Sequence, residues 1–324
     1  MKNNISIAIS AIFLFLLFFR NSEAQEIKSV PDTVKIGTYI VSLHDINFHD
    51  KEYTLRFWMW MLYSNPKFDF ANRVEVPNAK SLEKPETLVD SSNNLIWVLL
   101  KMKCTMKQSW KVQDFPFDKQ DLVVHVENSE FDTRSLVFVA DTAGKHFDPQ
   151  LTVDGWNLAS IKINTSTNEY ETAFGDSSLK EPISEYATFN IFMRLERNTW
   201  GLFFKLFLCM YIAFLIAYMS FFIHSDHIEA SFGLQVGGLF ASVGNKYIID
   251  SILPESSSFT LVDSLHAVTY MYIFFIIVFS VISLEYYKKG DKRKSKKIDD
   301  LGKIITLLSY MIINTMLVCI AIYR

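Results

Sequence analysis

The residues most suggestive of chemistry in this chain are polar ones set inside apolar sequence. His224-Ser225-Asp226-His227 places a hydroxyl, a carboxylate and two imidazoles in four consecutive positions. A hydrolytic triad draws its members from separate elements that converge on one point, so four neighbours between two apolar segments read as a solvated turn. The sequence has no nucleophile elbow, no His-Glu-x-x-His and no phosphate-cradling glycine loop. Cys104, Cys209 and Cys319 share no metal-ligand spacing with any histidine and are too scattered for a disulfide framework. The reading is therefore not an enzyme, with neither metal nor organic cofactor expected.

A second polar group carries more. Residues 228–250, IEASFGLQVGGLFASVGNKYIID, are long enough to cross a bilayer yet contain Glu229, Gln235, Asn245 and Lys246 and four glycines. A charge in hydrocarbon costs about 2.5–3.5 kcal/mol even on the lenient insertion scale, so such side chains face a bundle interior or a water path. Helical steps of three and four place Glu229, Gly233, Gly237, Phe240, Gly244 and Tyr247 on one face. Repeated around an axis, that face would give a pore with an inner carboxylate ring favouring cations, an aromatic constriction and an outer phenol ring. The alternative is that Gly233 and Gly237 form a small-xxx-small packing contact, with Glu229 at the headgroup boundary.

The elements around these residues fall into two parts. Up to about residue 198 the sequence is polar and alternating. Val34–Ile40, Tyr53–Trp60, Leu95–Leu100, Leu122–Val126, Leu136–Val139 and Thr188–Met193 read as strands of a β-sandwich. Beyond it come four hydrophobic segments, about 200–223, 228–249, 265–286 and 303–323, each near the roughly 20 residues a bilayer core requires. Lys2, the apolar run 5–19 and Ser22-Glu23-Ala24 read as a signal peptide over 1–24; the alternative is an uncleaved anchor helix, since the run is long and Arg20 follows it. A secreted start places 25–198 outside and the basic stretch 287–299 on the cytoplasmic side. There KKGDKRKSKK carries seven basic residues against one aspartate, as positive-inside bias requires. The net charge of −3 and the position of the basic run argue against a nucleic-acid partner.

One short stretch remains, DFPFDKQDL at 114–122. An isolated Phe-Pro-Phe reads as a hairpin turn completing a sandwich core. Here, however, FPFD (115–118) with Gln120 resembles the signature loop of the pentameric ligand-gated ion channels, the Cys-loop receptor superfamily, and most closely its prokaryotic branch. Arg197 before the first membrane segment, Glu229-Ala230 opening the second, Leu253-Pro254 after it and the four-segment C-terminal half match in the same order. The loop cysteines of the animal receptors are replaced by Gln108 and Leu122, the usual first-helix proline by Leu208-Cys209-Met210, and the pore face carries glycines where Ser or Thr is common.

The resemblance implies an extracellular all-β sandwich on an all-α four-helix transmembrane bundle, a homopentamer around a central pore, and placement in the inner or plasma membrane. It implies a ligand- or proton-gated channel passing monovalent cations. Phe115, Pro116, Phe117, Asp118, Arg197, Leu253 and Pro254 would couple sandwich to pore, the two phenylalanines pressing into the helix tops and Asp118 pairing with a partner such as Arg197. The segment 164–186 would be the capping loop of an interfacial ligand site, with Tyr170, Phe174 and, on the preceding strand, Trp156 as aromatic candidates for a small cationic ligand. For protons, His125, His146, Glu127 and Asp141 are the titratable candidates. A non-conducting sensor of the same architecture is the competing reading.

Overall fold

The computed structural model describes residues 30–176, 181–224, 227–255 and 258–324. The signal peptide expected over 1–24 lies outside the described residues, and so do Ser225 and Asp226.

Among the described residues, nine strands form the first part: β1 (Asp32–Asn47), β2 (Glu52–Tyr63), β3 (Val74–Glu75), β4 (Ala79–Ser92), β5 (Leu95–Lys107), β6 (Lys119–Asn128), β7 (Leu136–Ala140), β8 (Trp156–Tyr170) and β9 (Ser184–Arg197). One sheet runs β4-β5-β2-β1-β7 and the other β3-β6-β9-β8. Pairing is antiparallel throughout except between β1 and β7. Period-two alternation decides the faces. Leu55, Phe57, Met59 and Met61 of β2 and Leu122, Val124 and Val126 of β6 are sealed in the core, while Arg56 and Trp58 face out. Each such side chain contributes about 1.5–3 kcal/mol on burial, so the register is fixed wherever a one-residue slip would expose the set.

Three strands are absent from the six read by alternation: β3, only two residues long, β4 and β8. β4 is exposed along most of its length, so it carries no buried alternation to detect. β8 alternates polar with polar over Asn164–Asn168, and this part of the expected capping loop is strand, leaving 171–183 as the connector. Gly155, at φ +78°, makes the turn into β8, and its carbonyl accepts from Asn198 N at 2.9 Å.

Four long helices follow: α1 (Thr199–Tyr218), α2 (Ile228–Asp250), α3 (Leu261–Lys288) and α4 (Lys292–Tyr323). Among the described residues, Thr199–Phe222, Leu261–Lys288 and Lys292–Tyr323 are long and apolar enough to cross a membrane. α3 starts at 261 rather than 265 because Thr260 and Asp263 form a reciprocal capping box. α4 differs most: it begins at Lys292, so only 289–291 connect the last two helices where a basic loop over 287–299 was expected. Lys and Arg are good helix formers, and the Asp291 side chain caps Lys294 N. α1 runs as one helix through Leu208-Cys209-Met210. At Gly238 a Cβ would lie 2.6 Å from Ala213 O, so the glycine is what lets α2 approach α1.

Candidate pore face and coupling junction

α2 sorts its side chains sharply. Gln235, Gly238, Ser242 and Ile249 are buried against the rest of the bundle, and Gln235 Nε2 donates to Ser220 Oγ at 2.9 Å and Ser280 Oγ at 2.7 Å. Near the other end, Asn245 Nδ2 lies 3.1 Å from His266 Nε2, and Lys246 pairs with Asp250 and, at 2.8 Å, with Asp263 of α3. Most of the polarity that makes this helix unlike its neighbours is thus spent inside the subunit, joining α2 to the turn Met219–Phe222 after α1 and to α3. The sequence reading had turned that polarity toward shelter without saying which shelter.

The face drawn from helical spacing is the open one. Glu229, Gly233, Gly237, Phe240, Gly244 and Tyr247 are all exposed, Phe240 at 71% and Tyr247 at 78%. A Cβ at Gly233, Gly237 or Gly244 would meet nothing within 4 Å, so none of these glycines serves packing within the chain. That removes the intrasubunit form of the small-xxx-small alternative. The fold aligns these six residues along one unpartnered stripe, flanked by exposed Val236, Val243 and Ile248.

The junction between sheets and helices is built on Arg197, the last residue of β9. Its Nε lies 2.6 Å from Asp118 Oδ1 and a terminal guanidinium nitrogen donates to Asp118 Oδ2 at 3.1 Å, a bidentate pair. Asp118 is 4% exposed and also accepts from Gln120 Nε2 at 2.6 Å. Aromatic faces enclose the guanidinium: Trp156 at 3.9 Å, Phe48 at 4.7 Å and Phe115 at 4.9 Å from ring centroids. Phe48 stacks in turn on Trp110 and Trp156. Desolvating the pair is offset by this cation–π cage and by the second donor to the carboxylate.

The two phenylalanines of the loop divide the work expected of both. Phe115 is buried at the base of the sandwich, within reach of Phe48 and Arg197. Phe117 alone meets the helices, 5.6 Å from both Trp200 and Phe203 of α1. Pro116, joined to Phe115 by a cis peptide, is buried between them. Leu253 and Pro254 line a cleft of about 270 Å3 with Val112, Thr260 and Asp263, so they meet the residues before the FPFD loop rather than Asp118. Gln113 O accepts from Leu261 N at 2.8 Å, a backbone bond across the junction. Ala321 of α4 packs in the same core, and Arg324 reaches Asp114 at 3.8 Å. Phe48, Gln113 and the end of α4 were missed in sequence because a turn, a polar linker and a terminus carry no periodic signal.

The three ligand-site candidates are not brought together. Trp156 and Tyr170 begin and end the same 15-residue strand, a span of roughly 45 Å at the rise of a strand, and Trp156 is 6% exposed beneath Arg197. Tyr170 and Phe174 do meet, at 5.6 Å, and Tyr186 completes an edge-to-face trio at 5.7 and 6.3 Å. Tyr170 donates to Glu127 Oε2 at 2.9 Å. Glu127, fully buried, also accepts from Asn168 at 3.0 Å and Thr188 at 2.8 Å. Burial first, then the Glu127 carboxylate, pushes the Tyr170 phenol up to about 12. Glu75, opposite Glu127 across β3 and β6, is held above the ordinary carboxylate value by desolvation and then by Glu127. The remaining proton candidates are dispersed: His125 lies 2.6 Å from Asn190 Oδ1, His146 3.2 Å from Thr38 O. Desolvation raises Asp141 less than its bonds to Trp60 and Lys35 lower it.

The chain is 21% identical over 233 residues to a proton-gated ion channel of Gloeobacter violaceus, covering 71% of this chain. It spans about 60% of the length of that curated relative. No family model matches. The relative is an ion channel and not an enzyme, and the match supports the resemblance of this chain to the pentameric ligand-gated channel superfamily. The chain is thus a distant relative of a membrane channel, with sandwich-like sheets preceding apolar helices.

Proposed function

We propose that this protein is a homopentameric, cation-selective channel whose α2 helices line the pore and whose sandwich senses a small ligand or protons. One observation carries the reading: the six residues of the α2 stripe are exposed together while the Gln235 amide nitrogen, Asn245 and Lys246 find partners inside the subunit. A stripe holding a carboxylate, three glycines with free space above them and an uncovered phenylalanine has no use in a lone subunit. Around an axis, Glu229 forms the cation-attracting ring and Phe240 the hydrophobic gate.

Four membrane crossings, with 25–198 on the outer side and the basic turn in the cytoplasm, follow from the positive-inside bias. The bidentate Arg197–Asp118 pair and Phe117 on α1 give the sandwich a rigid lever on the first helix, while Gln113–Leu261 and the Val112–Leu253 cleft give it a hold on α2 and α3. Opening a mostly closed equilibrium needs about 5.5 kcal/mol of differential interaction, or roughly 1 kcal/mol at each of five equivalent sites. Protons suit this demand, because the relative is proton-gated and partial desolvation, with Glu127 opposite, disfavours ionisation of Glu75.

The test is cation flux through the wild type and Phe240→Ser reconstituted in liposomes. A polar ring at the constriction leaks cations without any stimulus, and Glu229→Gln in that background weakens the preference for cations over anions. Silence from inserted, pentameric Phe240→Ser protein would favour the non-conducting sensor instead.

A further inference from the structure

Gln235 carries a primary amide with no exposure at all, on the side of α2 turned away from the stripe. A polar group at that depth costs free energy to bury, which makes it a functional candidate whose partners have to be named. They come from three elements. Nε2 donates to Ser220 Oγ of the turn after α1 at 2.9 Å and to Ser280 Oγ of α3 at 2.7 Å, and Ser231 Oγ of α2 itself is 3.4 Å away. The carbonyl Oε1 is buried with no hydrogen-bond partner among the described residues. An unpaired buried acceptor costs about as much as one or two net hydrogen bonds contribute, so the amide adds little stability. What two directional bonds supply is orientation.

Orientation matters because of what lies across the helix. At about 100° per residue, Glu229, Gly233 and Tyr247 point within about 20° of Phe240, whereas Gln235, Gly238 and Ser242 point about 140–160° away. Gly237 and Gly244 lie about 40–60° to one side of Phe240, and exposed Val236 and Val243 about as far to the other. Rotating α2 by one residue step would carry Glu229 from the axis to a flank. Little on the rear face of the inner half resists such a turn. Gly238 and Ser242 are buried there beside Gln235, and neither offers a bulky knob; Phe232, Leu234 and Leu239 are half-buried at the sides. The close approach of Gly238 to Ala213 fixes the distance between the helices rather than the angle. The next polar ties, Asn245 to His266 and Lys246 to Asp263, are about 15 Å further along the helix. Glu229 is only about 9 Å from Gln235 in the other direction.

We infer that Gln235 is the positioning residue of the Glu229 ring. It touches no permeating ion. Through Ser220 and Ser280 it fixes the rotation of the inner half of α2, and with it the side of the helix on which the Glu229 carboxylate stands. Ser220 belongs to the reversal that leads into α2, and Ser280 to α3, whose register against α2 is antiparallel, Gln235 meeting Ser280 and Asn245 meeting His266. The amide is therefore held by two different elements, and a turn of α2 lengthens one bond or the other. The inference rests on the pore reading above and adds to it a residue that governs charge selection from outside the pore.

The experiment measures K+ and Cl− flux from liposomes holding full-length Phe240→Ser protein, whose leak needs no stimulus, alone and with a second substitution, each compared as the oligomer that elutes with wild type. Gln235→Leu removes both bonds and lowers the K+/Cl− ratio toward that of Glu229→Gln, although the carboxylate is still present. Ser220→Ala/Ser280→Ala removes the same bonds without adding bulk and has the same effect, so the test survives if the leucine variant fails to assemble. Either alanine alone loses one bond, which biases the orientation about two- to ten-fold and lowers the ratio part of the way. Ser242→Ala takes from the same rear face a hydroxyl that has no partner among the described residues and leaves the ratio as it is. A ratio unchanged in both Gln235→Leu and the double alanine variant, or an equal fall in Ser242→Ala, overturns the inference. Absence of a K+ leak from Phe240→Ser, or a leak indifferent to Glu229→Gln, sinks the pore reading and this inference with it; a leak that responds to Glu229→Gln and ignores Gln235 sinks the inference alone.

Discussion

Asp118→Asn tests the junction most directly. The substitution keeps an oxygen for Arg197 Nε but removes the charge that the guanidinium, itself only 10% exposed, is held against at 2.6 Å. Breaking one partner of a buried pair costs about 3–5 kcal/mol, because the other charge stays desolvated. The aromatic cage of Trp156, Phe48 and Phe115 retains part of the cation's stabilisation, so the lower end, about 3 kcal/mol, is expected. For a sandwich of this size that is roughly 6–12 °C in the thermal midpoint. Arg197→Gln leaves Asp118 with Gln120 as its remaining side-chain donor and costs a similar amount. The double variant removes both charges together, so it should fall well short of the sum, with a coupling of about 2–3 kcal/mol in a double-mutant cycle. The measurement is thermal unfolding of the detergent-solubilised oligomer for all four proteins at one scan rate. Additivity of the two single effects to within about 0.5 kcal/mol would refute the reasoning. In the channel reading, Asp118→Asn also shifts activation while leaving ion selectivity untouched; altered selectivity would mean that the junction reaches the permeation path.

Gly238→Ala drives a Cβ to 2.6 Å from Ala213 O and should lower stability by about 1–3 kcal/mol as α2 is pushed off α1. Gly237→Ala meets no atom within 4 Å and gains up to about 1 kcal/mol of helix propensity; a melt in which 237 is the worse of the two would overturn the assignment of faces. Glu75, exposed on the lone subunit, is raised above its ordinary 4.5 by partial desolvation and then by Glu127. Below that value both folded and unfolded forms are protonated. As pH rises toward the folded pKa the unfolded form releases its proton first, so stability falls. Glu75→Gln therefore leaves the unfolding midpoint unchanged at pH 4 and raises it at pH 7, and the opposite order would remove Glu75 from any proton-sensing account.

Much of the architecture is written locally. Alternation along β2, β5, β6 and β9 and the apolar lengths of α1, α3 and α4 follow from the chain alone, because a buried face stamps its period on the residues that make it. The α2 stripe was legible from helical spacing although it is an exposed face, and the Arg197–Asp118 pairing once the resemblance placed the two residues at one boundary. Strands without a buried face were not: β4 is solvent-exposed and the middle of β8 is polar on both sides.

Tertiary structure alone decided the partners. Sequence could say that Gln235, Asn245 and Lys246 need shelter. Only packing shows that the subunit itself supplies it, through Ser220, Ser280, His266 and Asp263. Sequence offered Trp156 and Tyr170 as neighbours in one aromatic site, yet an extended strand carries them to opposite ends of the sandwich. It also treated Phe115 and Phe117 alike, although the loop turns one inward and the other toward α1. The reason is common to all three: period and composition specify which face a side chain takes along its own element, whereas contacts between elements depend on chain reversals that no local pattern encodes.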